Sequence, residues 1–204
     1  ALLPQSGPDI EYLSIGFRFK PLSLVGGDFL SFACKSDYSG VFIADAVGHG
    51  ISAALFMSLL KFATDSLFDS HGNNTADFLM NLNKSLYSSI NNYFVTAAYA
   101  VFTPSESGVN ILFSSGGHPP LILFRKSVNS FEMIQARGTI LGMFENGKYG
   151  TGSAFLEKGD RLYLYTDGIP ETTNEKGEII GYENTVKILK STYDPDIEKT
   201  IENL

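Results

Sequence analysis

VFIADAVGHG, residues 41–50, carries an apolar run into one carboxylate, Asp45, and then turns at once through Gly48, His49 and Gly50. Neither Asp nor Gly favours a strand. The stretch reads as a buried strand that delivers a single acidic side chain to its tip. The small residues after it let the backbone turn or be approached closely.

Outward from this stretch the pattern is one of strands and two marked helices. Residues 29–34 (FLSFAC) form a second apolar run, separated from the first by the turn signal SDYSG (36–40). Residues 12–20 (YLSIGFRFK) alternate apolar and polar with period two, as a half-buried strand does. Three strands are thus expected before the first helix. From Ile51 the spacing changes to three and four residues in SAALFMSLLKFATDSLF (52–68), until His71 and Gly72 stop it. Asn74 or Thr75 can cap a second helix, ADFLMNLNKSLYSSI (76–90), with Asp77 in its first turn at the positive end of the dipole.

The second half returns to strands. FVTAAYAVF (94–102), VNILFS (109–114) and PLILFR (120–125) are divided by TPSESG and SGGHP. FEMIQA (131–136), residues 150–156 and RLYLYT (161–166) continue the series, and a helix is expected from Tyr182 to Ser191, with the tail YDPDIEKTIENL again helical. Strands, paired helices, strands and closing helices make an α+β pattern rather than the alternating order of a Rossmann fold.

Composition bounds the function. A chain of 204 residues with 44% hydrophobic content fits one domain, and such a chain buries about 70% of its unfolded surface without needing disulfides. The lone Cys34 cannot form an internal bridge and reads as inert core packing in a reducing, cytoplasmic compartment. The net charge of −7 argues against nucleic acid and against direct membrane contact, since both require a basic face. No apolar run reaches the length of a membrane span. The loop-like opening from Ala1 suggests a domain excised from a larger signalling protein.

Three carboxylates stand out. Asp45 ends one apolar strand, Asp167 ends another in RLYLYTDG, and Asp28 follows Gly26 and Gly27 in VGGDF. Taken singly, an Asp beside Gly is a turn, and Lys20 or Arg161 could pair with one of the three as a structural ion pair. Brought together, like charges at strand tips repel unless a cation compensates. Oxygen ligands suit Mg²⁺ or Mn²⁺ better than zinc, for which the chain offers no His or Cys pair at ligand spacing. His49 and His118 (in SSGGHPP) read as residues that fix their loops by hydrogen bonds. Ser114 and Ser115 lack an esterase elbow, and neither VGGDF nor GHGISAAL is a P-loop or dinucleotide fingerprint.

VGGDF, ADAVGHGISAALFM, FVTAAYAVF, SSGGHPPLIL, LGMF, EKGDRLYLYTDGIPET and EIIG occur in one order from about Leu2 to about Leu189. Together they resemble the SpoIIE-like branch of PPM-type metal-dependent protein phosphatases, bacterial regulators that dephosphorylate anti-sigma-factor antagonists. The resemblance implies a four-layer α/β/β/α sandwich, two antiparallel sheets flanked by helix pairs, with two Mn²⁺ or Mg²⁺ ions at one end. It implies that Asp45 bridges the metals, that Ala46 gives a backbone carbonyl, that Asp167 is a further ligand and that Asp28 supports the site directly or through water. Two such ions would acidify a bridging water and neutralise the charge of an in-line displacement. The implied partner is a phosphorylated antagonist protein, with an upstream sensor domain and a possible homodimer.

The chain departs from that family at several points. Val47 stands where the family has a serine in its AD-V-S-GHG pattern, the wider superfamily's phosphate arginine and metal-side histidine are absent, and no Asp-Asp-x-Thr motif precedes Leu204. The terminal strand that carries this motif is expected to be missing. The departures keep open a silent pseudo-phosphatase that binds the same partner without turnover. A haloacid-dehalogenase-type reading fails because LYLYTDG has no second Asp two residues from Asp167. A further expectation is that the helix pair over 51–90 regulates the site beside it.

Overall fold

The computed structural model describes residues 3–20, 26–48, 51–89, 93–173 and 176–204. Their strands form two antiparallel sheets. The first contains β1 (Asp28–Cys34), β2 (Ser39–Ala46), β3 (Val95–Ser105), β4 (Gly108–Gly116) and β7 (Thr151–Leu156), hydrogen-bonded in the order β1-β2-β3-β4-β7. The second has β5 (Leu121–Arg125) between β6 (Ser130–Ile134) and β8 (Arg161–Tyr163). The helices are α1 (Ile51–His71), α2 (Thr75–Ser89), α3 (Gly181–Ser191) and α4 (Ile197–Asn203).

Side-chain alternation assigns the layers, because successive residues of a strand face opposite sides of a sheet. On β2, Phe42, Ala44 and Ala46 point to one face, where they join Phe56, Leu60, Phe68, Phe78 and Leu82 of α1 and α2. Val41 and the partly buried Ile43 point the other way, with Ala98, Ala100, Phe113, Leu121 and Leu123 in the core between the sheets. Beyond the second sheet, Ile122 and Tyr165 pack against Leu189 of α3. The expected α/β/β/α sandwich is thus the observed one. Its helical side is closed by packed rings, with Phe78 and Tyr99 centroids 4.2 Å apart and Phe68 and Phe78 stacked at 5.2 Å.

The helix starts follow the sequence. Asn74 is the cap of α2: its Oδ1 accepts from the Asp77 amide at 3.1 Å, while its Nδ2 donates to the Asp77 carboxylate at 2.9 Å. This satisfies an amide the helix itself cannot reach. The sheets are tied at the other end by Arg125, which donates to Asp160 at 3.0 Å and to the Phe155 carbonyl. Asp160 also accepts from the Lys126 and Glu157 amides, so the GD of EKGDR organises a turn.

Three expectations need correction. Residues 12–20 form no strand, so two strands precede α1 rather than three. The segment alternates because it lies over the inter-sheet core, where Tyr12, Leu13 and Ile15 pack, with no ladder beside it. Tyr12 Oη is instead within hydrogen-bond reach of Ser39 Oγ and donates to the Phe102 carbonyl. Cys34 is exposed, not core: it shares the face of Leu30 and Phe32 but stands at the last position of β1, an edge strand. Asp167 does not end a strand, since β8 stops at Tyr163. Continuing the pairing of Ile122 with Tyr163 would set Pro119 and Pro120 opposite residues 165 and 166, and proline has no N–H to offer a ladder.

Candidate metal centre

β1 and β2 bring the first two carboxylates together by register. Asp28 pairs directly with Asp45, and Asp45 pairs on its other side with Thr96 of β3. Residues opposite one another in a ladder share a face. That face is the inter-sheet one, because the next residues inward, Leu30, Ile43 and Ala98, belong to the inter-sheet core. Asp28, Asp45 and Thr96 therefore form a polar edge at the end of the sandwich, where the apolar core stops.

Asp167 reaches this edge from the second sheet. Residues 164–166 leave the ladder yet keep its alternation: Leu164 packs into the inter-sheet core and Tyr165 toward α3. The Asp167 side chain hydrogen-bonds that of Asp45, and the Thr166 side chain hydrogen-bonds Asp28. Burial first, then the charges of Asp167 and Asp28, push the Asp45 carboxyl up to about 7. Burial also raises Asp28, partly offset by Thr166. A carboxyl that holds its proton near neutrality lies in a strongly negative local field. Arg161, a candidate to neutralise one of them, donates instead to Thr200 and to the Asp194 and Pro195 carbonyls.

The backbone at the tip of β2 is shaped by a glycine. The Ala46 amide donates to the Gly27 carbonyl at 2.9 Å. A β-carbon on Gly27 would stand 2.2 Å from the Ala46 carbonyl oxygen and 3.0 Å from Asp45 Oδ1. Only glycine lets β1 approach the Ala46 carbonyl so closely. The donor set is therefore all oxygen: three carboxylates and one carbonyl, which suits a hard divalent ion that retains several waters. Among the described residues, however, no group of three or more His, Cys, Asp or Glu side chains is gathered as a ready cage. Asp28, Asp45 and Asp167 are coupled in charge, with Asp167 against Asp45.

The remaining candidates divide. His49 lies outside the described residues. His118 is 2% exposed and far from being a surface ligand; its Nδ1 is 3.0 Å from Thr96 Oγ1. Val47 is exposed, and its amide donates to the Phe94 carbonyl. Thr96 and Thr166 were not singled out by composition or motif; the register opposite Asp45 and the position beside Asp167 are the signals that find them. A groove of about 660 Å³ over Val101, Ile111 and Ala154 has no carboxylate in its lining and plays no part in this site.

Two antiparallel sheets between helix layers, with acidic residues at one end of the inter-sheet core, define the fold of the PPM-type phosphatases. The structure resembles the SiaA-PP2C domain of Pseudomonas aeruginosa, with a TM-score of 0.78 at 21% identity over 90% of this chain and 74% of that one. It also resembles the RsbU and RsbW domains of Rv1364c from Mycobacterium tuberculosis, with a TM-score of 0.71 at 23% identity over 89% and 50%. The family model for Stage II sporulation protein E (SpoIIE) matches residues 35–204, and the chain belongs to that family. Among curated proteins it is 33% identical to the phosphoserine phosphatase RsbU of Bacillus subtilis over 86% of its length, and 29% identical to the phosphoserine phosphatase RsbP of the same organism over 80%. It spans 52% and 41% of those two proteins.

Proposed function

We propose that this domain is a metal-dependent phosphoserine/phosphothreonine protein phosphatase and that its substrate is a phosphorylated anti-sigma-factor antagonist in a partner-switching pathway. The observation that carries the reading is the convergence of Asp28, Asp45 and Asp167 from two sheets onto one polar edge. The similarity to two phosphoserine phosphatases supports the chemistry. In this reading Asp45 and Asp167 hold two Mn²⁺ or Mg²⁺ ions, the Ala46 carbonyl adds a ligand and Asp28 supports the site. The bound ions supply Lewis-acid charge for the phosphate and for the attacking water.

The chain's own groups do the rest. β1 and β3 fix Asp45 from both sides, Gly27 keeps the Ala46 carbonyl clear of side chains, and Thr166 orients Asp28. Among the described residues the charges that act on Asp45 are acidic, so bound cations would offset the repulsion between this edge and a phosphate. The domain is read as the output unit of a longer signalling protein with an upstream sensor, working in the cytoplasm.

A second reading, a silent module that binds the partner without turnover, has one observation in its favour, the lack of a gathered three-ligand cage among the described residues. Hydrolysis of p-nitrophenyl phosphate, with Mn²⁺ titrated against EDTA, separates the two. Metal-dependent turnover lost in Asp45→Asn establishes the phosphatase; folded, Mn²⁺-saturated protein without turnover establishes the silent module.

A further inference from the structure

His118 is the most buried ionisable side chain near the carboxylate edge, and the phosphatase chemistry does not use it. Its backbone is locked: the His118 amide donates to Ser115 Oγ at 3.1 Å, and Ser115 Oγ donates back to the His118 carbonyl. The preceding Gly117 has φ +72 and bridges Ala97, which lies beside Thr96. That left-handed turn aims the ring into the space between the sheets. One ring nitrogen, Nδ1, meets Thr96 Oγ1, on the residue paired with Asp45. The other, Nε2, is buried with no partner at hydrogen-bond geometry. The Tyr165 backbone, two residues before Asp167, nevertheless acts on the ring.

A buried ring nitrogen without a partner is costly, and native folds rarely leave one. The loss of the β5–β8 ladder at Pro119 and Pro120 explains what this one faces. The prolines cannot pair with residues 165 and 166, so the segment carrying Asp167 lacks the backbone bonds that fix Asp45.

We infer that His118 is a positioning residue for the metal centre: Nδ1 holds Thr96 beside Asp45, and Nε2 faces the Tyr165 backbone, so that the ring keeps residues 164–167, and with them Asp167, against the first sheet. The ring acts as a neutral strut. Burial, which pushes its pKa down to about 4, is consistent with that role. The neutral ring carries one donor and one acceptor, which matches the Tyr165 carbonyl on one side and the Thr96 hydroxyl on the other.

The inference rests on the phosphatase reading for its metal, and the test separates the two. Calorimetric titration of the whole domain with Mn²⁺ alone should give binding about tenfold weaker in His118→Phe, the usual scale for groups that orient ligands. Thr96→Val should weaken it comparably, and the double variant should be no worse than either single one, because both break one chain of contacts. His118→Gln, whose amide reaches the Nε2 position, should bind within about threefold of the parent. A residue that merely stabilises the fold would lower the melting temperature and leave Mn²⁺ affinity of the folded protein untouched. That result in His118→Phe, or in Thr96→Val should His118→Phe not fold, overturns the inference. If the parent binds no Mn²⁺, the phosphatase reading fails, and amide exchange decides for His118. Exchange at residues 164–167 about tenfold faster in the variant, with β5 unchanged, supports the strut, and unchanged exchange overturns it.

Discussion

Asp45 and Asp167 meet across the same edge, yet the chain holds them by different means. β2 is laddered on both flanks, through seven pairs to β1 and eight to β3, and Asp45 lies inside both ladders. β8 pairs with β5 over three residues and ends before Asp167. One carboxylate is part of a cooperative sheet; the other lies beyond the end of its ladder, against Asp45. The stability of the fold and the geometry of the site are therefore set by different residues. The candidate metal centre thus has one wall inside a ladder and one beyond the end of a ladder.

The largest expected effect attacks the laddered side at a distance. Phe78 is fully buried among the rings of Phe42, Phe68 and Tyr99, and Phe78→Ala should cost about 3–5 kcal/mol of stability in urea unfolding. Mn²⁺ affinity of the folded fraction should hardly change. A large loss of affinity instead would mean that the two walls are not separate.

Next comes the fixed carboxylate itself. Asp45→Asn should lower metal-dependent kcat/KM on p-nitrophenyl phosphate about a thousandfold, the loss of several kcal/mol of metal-borne charge stabilisation. The same variant should be more stable than the parent when metal is removed. Asp45 has an unfolded value of 3.8 and is raised to about 7 by burial and its acidic neighbours. A carboxyl raised by folding stabilises the fold below its unfolded value, and that contribution is lost as pH rises toward the folded one. In EDTA, Asp45→Asn should therefore exceed the parent by about 1–2 kcal/mol near pH 8, after allowance for solvent screening, and match it near pH 4. Coincident melting curves at both pH values would show that the carboxylates are not crowded.

The smallest effect falls on the wall beyond the ladder. Thr166→Val removes the hydroxyl that bonds Asp28 while keeping the side chain's shape, and should cost about 1 kcal/mol of Mn²⁺ binding by calorimetry. Should this exceed the loss from Gly27→Ala, which forces β1 off the Ala46 carbonyl, the wall beyond the ladder would prove the more demanding of the two.

The same division explains what the sequence discloses. β2, β3 and both long helices are legible because period and burial agree: 41–46 runs apolar to Asp45, and α1 changes to helical spacing at Ile51. Asp28 and Asp45 were visible for the same reason, as acids at the ends of apolar runs. Residues 12–20 and 164–166 misled because alternation records a buried face and not a ladder; both segments alternate over the core without strand partners. Pro119 and Pro120 held the clue to where β8 ends, but only once the register with β5 was known. His118, Thr96 and Thr166 act through cross-sheet contacts that no local spacing encodes.

Asn83, 1% exposed on α2, accepts from the Gly142 amide at 2.8 Å and donates to the carbonyls of Phe144 and Glu145. Next along the chain, Leu141 exchanges both backbone hydrogen bonds with Val95, the residue paired with Ala46. Helix α2 and this loop are thus stitched to the strand beside the tip of β2, so the seam that closes the helical layer is also the seam that frames the Ala46 carbonyl.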